Sequence, residues 1–280
     1  MILPGSASQS LGAALAADLD ERLAAVEYDR FADGELVARI ADPEPVDRAV
    51  VVASTVSGDA HVELLQLQDV ARQYAEEIVT VLPYMGYARQ DEAFREGEPV
   101  SARAVARALS ASTDRVVCVD PHEPAVGEFF DVPFETPSAA DRLAVPLPDL
   151  VDPLFLAPDA SARGLAKSVR DAYGSGTVDH FEKHRDRDTG EVSVAPAETE
   201  AAGRDVVLVD DIVATGGTMS EAIGQLEGPR GVFVACVHAM LAGNARTRLA
   251  RAGVDRVYGT DTLERAESAV SVAPTIADAL

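Results

Sequence analysis

The segment 207–219, VLVDDIVATGGTM, holds the residue types in this chain that are best suited to chemistry. Its apolar start predicts a buried strand, and Asp210 and Asp211 follow at the carboxyl end, where a parallel sheet opens its ligand crevice. A loop of small residues then begins a helix: Thr215, Gly216, Gly217 and Thr218. Unobstructed backbone N–H groups with two hydroxyls suit a phosphate, and two carboxylates suit the hydroxyls of a sugar. A capped strand–helix turn explains single Asp or Thr residues but not this whole set. We therefore predict a ribose phosphate site.

Residues 89–91, Arg-Gln-Asp, follow a predicted strand at 77–82 and a Pro-Tyr-Met-Gly turn. Arg89 offers a forked donor for phosphate, whereas Gln90 and Asp91 have groups that hydrogen-bond a purine edge or hold a water. An ordinary solvated surface fits this local pattern equally well. The three residues are candidates for binding a nucleotide.

The segment from Phe31 to Glu35, Phe-Ala-Asp-Gly-Glu, combines an aromatic ring with two carboxylates. The ring of Phe31 can stack on an adenine, and Asp33 and Glu35 can hydrogen-bond its edge. A turn with one core phenylalanine is at least as good an interpretation on local grounds. The segment is a second nucleotide-binding candidate.

Two further polar residues follow predicted strands and are candidate metal ligands. His122 comes after the apolar run VVCV, and Asp159 closes the strand predicted at 153–157. Mg²⁺ prefers oxygen ligands and keeps several waters, so one His, one Asp and phosphate oxygens make a reasonable open shell. A histidine at a strand end more often caps the chain or packs in a core.

Lys183 and Arg185 follow a predicted strand at 178–182 and stand at the base of a polar segment, 184–204. We call this segment the flap; its composition predicts a mobile stretch with a weak hairpin at Thr189–Gly190. Two cations there suit phosphoryl transfer, which depends on positioning and charge neutralisation. A solvated basic turn is the alternative. It is weakened because the chain's 24 basic residues include only two lysines, Lys183 and the predicted surface residue Lys167.

Short apolar runs alternate with amphipathic stretches along the chain, a pattern that predicts a parallel α/β architecture. Strands are predicted at 49–54, 77–82, 115–119, 153–157, 178–182, 206–209, 232–237 and 255–258. Helices are predicted at 8–18, 61–75, 101–110, 160–171, 217–227 and 243–252. The Pro- and Asp-rich stretch 137–153 marks the best domain boundary. Segments 49–65 and 205–223 resemble each other as strand, small-residue loop and helix, which favours two copies of one unit or the general pattern of α/β proteins.

The composition excludes several classes of protein. The chain has 280 residues, 47% of them hydrophobic, which excludes a disordered chain. It has no apolar run long enough to span a membrane and no basic leader, so we expect a soluble cytoplasmic protein. A net charge of −23 disfavours nucleic-acid binding and predicts a protein adapted to a high-salt cell. Cys118 and Cys236 lie in apolar runs, and a disulfide framework is excluded.

The loop at 207–219 resembles the phosphoribosyl diphosphate loop of phosphoribosyltransferase-like proteins. The other motifs occur in the order and spacing of the ribose-phosphate diphosphokinase family: Phe31–Glu35, Tyr87-Ala-Arg-Gln-Asp91, Asp120-Pro-His122, Pro158-Asp159 and Lys183-His-Arg185. The match runs nearly end to end. The stretch 97–109, GEPVSARAVARAL, is similar to the archaeal branch.

This resemblance implies two phosphoribosyltransferase-like domains, each a mostly parallel sheet flanked by helices: 1–141 on the nucleotide side and 142–280 on the ribose 5-phosphate side. It implies transfer of the diphosphoryl group of ATP to the 1-hydroxyl of ribose 5-phosphate, with Mg²⁺ as cofactor. The implied ATP-binding residues are Phe31, Asp33, Gly34, Glu35, Arg89, Gln90, Asp91 and His122. The implied ribose 5-phosphate residues are Arg185, Asp210, Asp211, Ala214, Thr215, Gly216, Gly217 and Thr218. The implied catalytic residues are Lys183 and Arg185, and the implied metal ligands are His122 and Asp159.

Other readings stay open at this point. Ala214 departs from bacterial and animal relatives, which place Asp there, so only its backbone N–H is expected to act. A phosphoribosyltransferase uses the same loop but needs neither Tyr87–Asp91 nor His122, and a non-catalytic regulatory paralogue typically loses catalytic residues that are present here. The family implies a homodimer or higher homo-oligomer. Four histidines receive no role: His61, His180, His184 and His238.

Overall fold

The structure, a computed structural model, describes the backbone of residues 1–185, 192–196 and 200–280, and the side chains among these outside 182–199. The chain folds as two compact units. The first comprises Met1–Ser138, Asp261–Glu264 and Ser271–Leu280; the second comprises Ala139–Thr260 and Arg265–Val270.

The first unit is built on a parallel sheet. Its strands are β1 (Ile2–Pro4), β4 (Val46–Val52), β5 (Ala75–Leu82), β6 (Arg115–Cys118) and β7 (Phe134–Glu135), and its separate hairpin is β2 (Val26–Arg30) with β3 (Leu36–Ile40). Its helices are α1 (Gln9–Leu19), α2 (Gly58–Arg72), α3 (Ser101–Ser110) and α7 (Ala273–Ala277). The sheet order is β1-β4-β5-β6-β7, with every pair parallel.

The second unit has a larger sheet. Its strands are β8 (Leu154–Ala157), β9 (Thr177–Arg185), β10 (Val192–Pro196), β11 (Asp205–Ile212), β12 (Gly231–His238), β13 (Arg256–Thr260) and β14 (Ser268–Val270). Its helices are α4 (Arg163–Tyr173), α5 (Gly217–Ile223) and α6 (Ala245–Arg251). The order is β10-β9-β8-β11-β12-β13-β14, and only β9 and β10 pair antiparallel. The predicted α/β fold with mostly parallel sheets flanked by helices is confirmed.

The central strands are buried along their whole length, which explains why their sequences are continuous apolar runs. Residues 49–52 of β4 and 206–209 of β11 have no exposed surface. In each unit the helices cover these strands with apolar side chains, such as Leu64 and Leu67 of α2 and Met219 of α5. The loops after these buried strands carry several of the candidate site residues, among them Arg89, His122, Asp159 and the loop from Thr215.

The structure places the first chain crossing between the two units at Ser138–Ala139, whereas the sequence placed the boundary after 141. It also returns the C-terminal end to the first unit, where α7 packs against α1. Val272, Ala273 and Ile276 are buried there, and Asp261 accepts the Val272 N–H at 2.8 Å. Since this segment is short and follows β14 of the second unit, sequence order alone placed it with that unit.

Part of the flap is a strand: β10 pairs with β9 in a register that sets Val194 opposite Lys183 and Val192 opposite Arg185. The two valines that interrupt the polar flap sequence belong to this strand. The turn predicted at Thr189–Gly190 lies outside the described residues. No helix among the described residues is long and apolar enough to cross a membrane.

We expect the melting temperature to rise with salt. The 47 acidic residues outnumber the 24 basic ones, and the ion pairs that neutralise some of them, such as Arg22–Glu44 and Arg39–Glu27, are exposed and weak. Potassium chloride screens the remaining repulsion within a few ångströms at molar concentration. Thermal unfolding between about 0.1 M and about 2 M KCl tests this. A melting temperature that stays flat or falls would contradict the proposed adaptation to high salt.

Candidate functional site

The order of strands in the second unit reverses between β8 and β11. From β8 the chain moves outward to β9, whereas from β11 it moves the other way to β12 and β13. In such sheets ligands bind outside the carboxyl ends of the two strands where the order reverses. Leu156 of β8 pairs with Leu208 of β11, so Asp159 and Asp210 both follow at this edge. The structure thus brings together two candidates that are 51 residues apart in the sequence.

The loop from Thr215 to Thr218 leaves its backbone donors unused. In the described part of the chain, no oxygen accepts a hydrogen bond from the N–H groups of residues 215–218, and no side chain caps α5. The similar segment of the first unit differs at its helix start, because there a side chain caps the helix: the Ser57 hydroxyl accepts the Ala60 N–H at the start of α2. Among the described residues, the N–H groups of 215–218 are thus an open set of donors for an anion.

Glycine at 216 has a local reason. Its φ is +71°, in the left-handed region, and a Cβ atom there would lie 3.2 Å from Leu249 Cγ of α6. The backbone of the loop therefore rests directly on α6. The preceding residues are fixed as well, because Ala242 N–H donates to the Ala214 carbonyl at 2.8 Å. The loop is held in shape from outside, and its own N–H groups remain available.

Asp210 carries the strongest electrostatic perturbation of the site. Burial, reinforced by the neighbouring carboxylates of Asp211 and Asp159, raises the pKa of Asp210 far above the ordinary aspartate range. Its Oδ1 accepts the Asp211 N–H at 3.0 Å, which fixes its orientation. Two adjacent carboxylates beside open N–H donors are suited to a ligand that brings hydroxyls or a cation together with an anionic group.

Asp159 is partly used by its own loop. Its Oδ1 accepts the N–H groups of Ser161 at 3.0 Å and of Ala162 at 3.4 Å, and also the Ser161 hydroxyl. In the described residues, nothing donates to Oδ2. One carboxylate oxygen thus holds the start of α4, and the other remains available as a ligand.

Lys183 and Arg185 lie on β9, at the edge of the sheet beyond β8, with their backbone paired to β10. In the strand register, Lys183 and Arg185 are two residues apart, so they occupy positions on one face of β9. The sequence-based prediction ended this strand at 182; pairing with β10 extends it to 185.

In the first unit, the residues from Phe31 to Glu35 form the tip of the β2–β3 hairpin. Phe31 N–H donates to the Glu35 carbonyl at 2.8 Å, and Gly34 turns the chain with φ +94°. The ring of Phe31 is 58% exposed, so it is not the core phenylalanine of the alternative interpretation. Asp33 and Glu35 are exposed too, and Asp33 Oδ1 accepts the Glu35 N–H. The tip presents a ring face and two carboxylates to its surroundings.

Helix α2 holds this hairpin through contacts that the sequence does not reveal. Gln66 accepts the Ala38 N–H at 2.8 Å and donates to the Leu36 carbonyl at 3.0 Å, and so extends β3 as a neighbouring strand would. Arg30 donates to the Gly34 carbonyl and to Asp59 of α2. Gln66 and Arg30 are support residues that local patterns miss, because their partners are remote or belong to the backbone.

Arg89, Gln90 and Asp91 lie in a loop that follows β5. Arg89 is exposed and forms no side-chain hydrogen bond or ion pair within the described residues. Gln90, unlike Arg89, has hydrogen-bond partners. Its side-chain Oε1 accepts the Ser101 hydroxyl and its backbone carbonyl accepts the Ala102 N–H, so Gln90 joins the loop to the start of α3. Asp91 is half-buried. The geometry makes Arg89 the available cation and gives Gln90 a supporting position.

The same loop is anchored at Gly86. Its N–H donates to Thr55 Oγ1 at 2.7 Å, and the imidazole of His61 packs against the ring of Tyr87 with centroids 5.5 Å apart. His61 Nδ1 lies 2.8 Å from the Ser57 carbonyl. Neither Thr55 nor His61 was singled out from the sequence, because they precede the loop by more than twenty residues.

Replacing Gly86 with alanine is expected to destabilise the protein by roughly 1–3 kcal/mol or more, because a Cβ atom would lie 2.3 Å from the Thr55 carbonyl oxygen. Gly58→Ala is the matched control, since a Cβ at position 58 meets nothing within 4 Å and the residue begins α2. Chemical denaturation of the two variants beside the wild type measures the difference. Equal stability of Gly86→Ala and wild type would contradict this anchor.

His122, a candidate metal ligand, follows β6 and is exposed, and the preceding Asp120 adopts a left-handed φ of 36°.

Of the four unassigned histidines, His238 is buried at the end of β12, and His180 lies on β9 beside the buried Asp179. His184 falls among the residues whose side chains are not described. Cys118 and Cys236 are both buried and free, and burial raises the pKa of each thiol above its ordinary value.

No group of three or more His, Cys, Asp or Glu side chains that could hold a metal ion occurs among the described residues. This pattern fits Mg²⁺, which is commonly bound by one or two carboxylates together with waters and substrate phosphates. The available Oδ2 of Asp159 is a donor of the right chemistry.

Comparisons with known proteins agree with the geometry. The family description "N-terminal domain of ribose phosphate pyrophosphokinase" matches residues 1–112, and "Phosphoribosyl transferase domain" matches residues 151–273. The chain is 62% identical to a ribose-phosphate pyrophosphokinase of Halobacterium salinarum, with 100% of both chains covered. It is 45% identical to the ribose-phosphate pyrophosphokinase of Methanosarcina mazei, covering 100% of this chain and 94% of that one. The crystal structure of phosphoribosylpyrophosphate synthetase from Mycobacterium smegmatis superposes with a TM-score of 0.82 at 28% identity, covering 100% of this chain and 96% of that one.

Proposed function

The chain belongs to the ribose-phosphate pyrophosphokinase family, and we propose that it transfers the diphosphoryl group of ATP to the 1-hydroxyl of ribose 5-phosphate. The products are 5-phosphoribosyl 1-diphosphate and AMP. The observation that carries this proposal is the crevice of the second unit, where N–H groups of residues 215–218 that have no acceptor among the described residues follow a half-buried carboxylate pair. That arrangement suits a sugar that carries a phosphate at one end and hydroxyls at the other.

Ribose 5-phosphate binds in the second unit in this account. The loop from Ala214 to Thr218 holds the 5-phosphate through backbone N–H groups and the exposed hydroxyls of Thr215 and Thr218. Asp210, with Asp211, accepts hydrogen bonds from the 2- and 3-hydroxyls. Because Asp210 is half-buried, those hydroxyls would replace part of the water that a carboxylate needs around it. Ala214 offers no polar side chain, so its part is limited to the backbone.

ATP binds in the first unit. The exposed ring of Phe31 stacks on the adenine, and Asp33 and Glu35 bind its edge around Gly34. Arg89 contacts the phosphates, and Gln90 and Asp91 complete this loop. The guanidinium of Arg89, which has no partner among the described residues, supports its role, and the contacts of Gln90 with α3 support a positional one.

Mg²⁺ is the proposed cofactor, held by His122 and Asp159 together with oxygens of the substrate. When bound, it neutralises phosphate charge and makes the β-phosphorus a better electrophile. Asp159 keeps Oδ2 for this ligand while Oδ1 fixes the loop. The acidic character of the crevice favours the arrival of a divalent cation.

The oxygen of the 1-hydroxyl attacks the β-phosphorus in line, and the bond between that phosphorus and the α,β-bridging oxygen breaks. The bridging oxygen and its electron pair leave with AMP, and the hydroxyl proton is released. Lys183 and Arg185 neutralise the negative charge on the transferring group, because phosphoryl transfer relies on positioning and charge stabilisation. Their shared face on β9 supports a joint role.

We also propose that the protein acts in the cytoplasm as a homodimer or a larger homo-oligomer, as the family resemblance implies. The proposed nucleotide side, predicted as residues 1–141, falls in the first unit apart from residues 139–141, and the proposed ribose 5-phosphate side, predicted as 142–280, falls in the second unit apart from residues 261–264 and 271–280. Sedimentation of the purified protein in molar KCl tests the oligomeric state. A single monomeric species would contradict it.

A coupled assay of AMP release tests the proposed reaction. Purified protein with Mg²⁺ is expected to release AMP from ATP only when ribose 5-phosphate is present. A phosphoribosyltransferase would instead consume 5-phosphoribosyl 1-diphosphate in the presence of a base, and a binding paralogue would release nothing. Either of those outcomes would overturn the proposal.

A further inference from the structure

Helix α6 places an arginine, Arg248, beside the loop of residues 214–218. This arginine belongs to none of the motifs and has no role in the proposed function. A Cβ atom at position 217 would lie 3.2 Å from Arg248 Nη1 and 3.7 Å from Thr215 Oγ1. The guanidinium and the hydroxyl therefore approach the same point of the loop. Gly216 rests on the same helix through Leu249, so α6 is fixed against the loop by a buried contact.

Arg248 differs from Arg246 of the same helix, which has a carboxylate partner. Arg246 forms two hydrogen bonds with Glu267, at 2.5 and 2.9 Å. Arg248 is half-buried, and within the described residues its guanidinium has neither a carboxylate partner nor a hydrogen bond. In a chain with 47 acidic residues, a half-buried cation without a counter-ion is unusual. A bound anionic ligand would neutralise the charge of this guanidinium.

The glycine at position 217 also indicates that a ligand binds beside Arg248. Its φ lies outside the left-handed region, and it is the first residue of α5, where alanine is the better helix former. The backbone conformation therefore does not require glycine there. The space that glycine leaves is the space that the Arg248 guanidinium borders.

We infer that Arg248 is a ligand of the 5-phosphate of ribose 5-phosphate, joining the N–H groups of residues 215–218 from the side of α6. The inference rests on the proposed function and adds a binding residue to the same site. A guanidinium presents paired donors that match phosphate oxygens, and a hydrogen bond between charged groups is stronger than one from a neutral N–H. The loop alone supplies no positive side chain, so Arg248 gives the site its preference for a phosphorylated sugar.

The test compares Arg248→Gln and Arg248→Lys with Arg251→Gln, an exposed arginine of the same helix. The full-length protein is titrated with ribose 5-phosphate and, separately, with ATP in molar KCl. Arg248→Gln is expected to weaken ribose 5-phosphate binding roughly 10- to 100-fold, toward the lower end because salt screens part of the attraction. Arg248→Lys is expected to recover part of the loss, and Arg251→Gln to bind as the wild type does. ATP affinity is expected to stay unchanged in all three.

Unchanged affinity of Arg248→Gln for ribose 5-phosphate would overturn this inference and leave the proposed function standing. Equal losses for both substrates in Arg248→Gln would show that Arg248 supports the fold and would also overturn this inference. Failure of the wild-type protein to bind ribose 5-phosphate at all would overturn the proposed function itself, and this inference with it.

Discussion

Replacing Lys183 with alanine is expected to lower kcat roughly 100- to 1000-fold while ATP affinity stays nearly unchanged. Removing one preorganised donor that acts on the transition state costs about this much, since its contribution is largest when charge develops on the transferring group. Initial rates at saturating ATP and ribose 5-phosphate measure the effect. Lys183→Arg should recover only part of it, because a guanidinium is bulkier and spreads its charge over a plane.

Lys167→Arg is the control, because Lys167 is the other lysine of the chain and lies on α4, away from the predicted motifs. It should be close to neutral. Full activity of Lys183→Arg would show that a compact ammonium is not what this position supplies. Full activity of Lys183→Ala would remove Lys183 from the site and leave Arg185 and the metal to carry the reaction.

Replacing Asp210 with asparagine is expected to abolish measurable binding of ribose 5-phosphate and at the same time to raise the melting temperature of the free protein. Burial beside Asp211 raises the pKa of Asp210 in the folded state above its value in the unfolded chain. The native protein then binds more protons than the unfolded chain, so this group costs stability as pH rises from the ordinary aspartate range toward the raised pKa. Asparagine keeps the shape and removes that cost.

The stabilisation should therefore be larger at about pH 9 than at about pH 5, measured without Mg²⁺ in the presence of a chelator. Glu221→Gln is the control, because it removes one carboxylate from an exposed position on α5. That change should leave the pH dependence of stability as it is in the wild type. A melting temperature of Asp210→Asn that is lower than the wild type at both pH values would contradict the view that function, not stability, maintains this carboxylate.

The sequence predicts the middle of each sheet well, because strands buried on both faces have to be continuous apolar runs. It misses β1, which has only three residues, and the hairpin of β2 and β3, whose sequences VEYDR and LVARI mix charged and apolar side chains. That hairpin depends on Gln66 of α2, a contact between segments that no local window contains. Helix α5 ends at Ile223, four residues before the predicted end, since Gly224, Gly228 and Pro229 do not favour its continuation.

The residues of the candidate site likewise fall into those that a local motif reveals and those that only the fold reveals. Asp210 and the loop from Thr215 were found because their chemistry lies within one short segment. The support of that loop was not, since Leu249 and Arg248 reach it from a helix about thirty residues further along. Gly86 was similarly quoted only as part of a turn, and the carbonyl of Thr55 that excludes a side chain there lies on another strand end. The sequence indicates function where a single motif contains the chemical groups. The residues that position those groups come from remote segments and are seen only in the folded structure.

The most direct test of the central claim follows the phosphates of ATP through the reaction. ATP labelled at the γ-phosphate or, separately, at the α-phosphate is incubated with the protein, ribose 5-phosphate and Mg²⁺ in molar KCl. Attack at the β-phosphorus predicts that the γ label appears in 5-phosphoribosyl 1-diphosphate and the α label in AMP, in equal amounts and only with ribose 5-phosphate present. Recovery of the γ label in inorganic phosphate, or of the α label in ADP, would contradict diphosphoryl transfer by this protein.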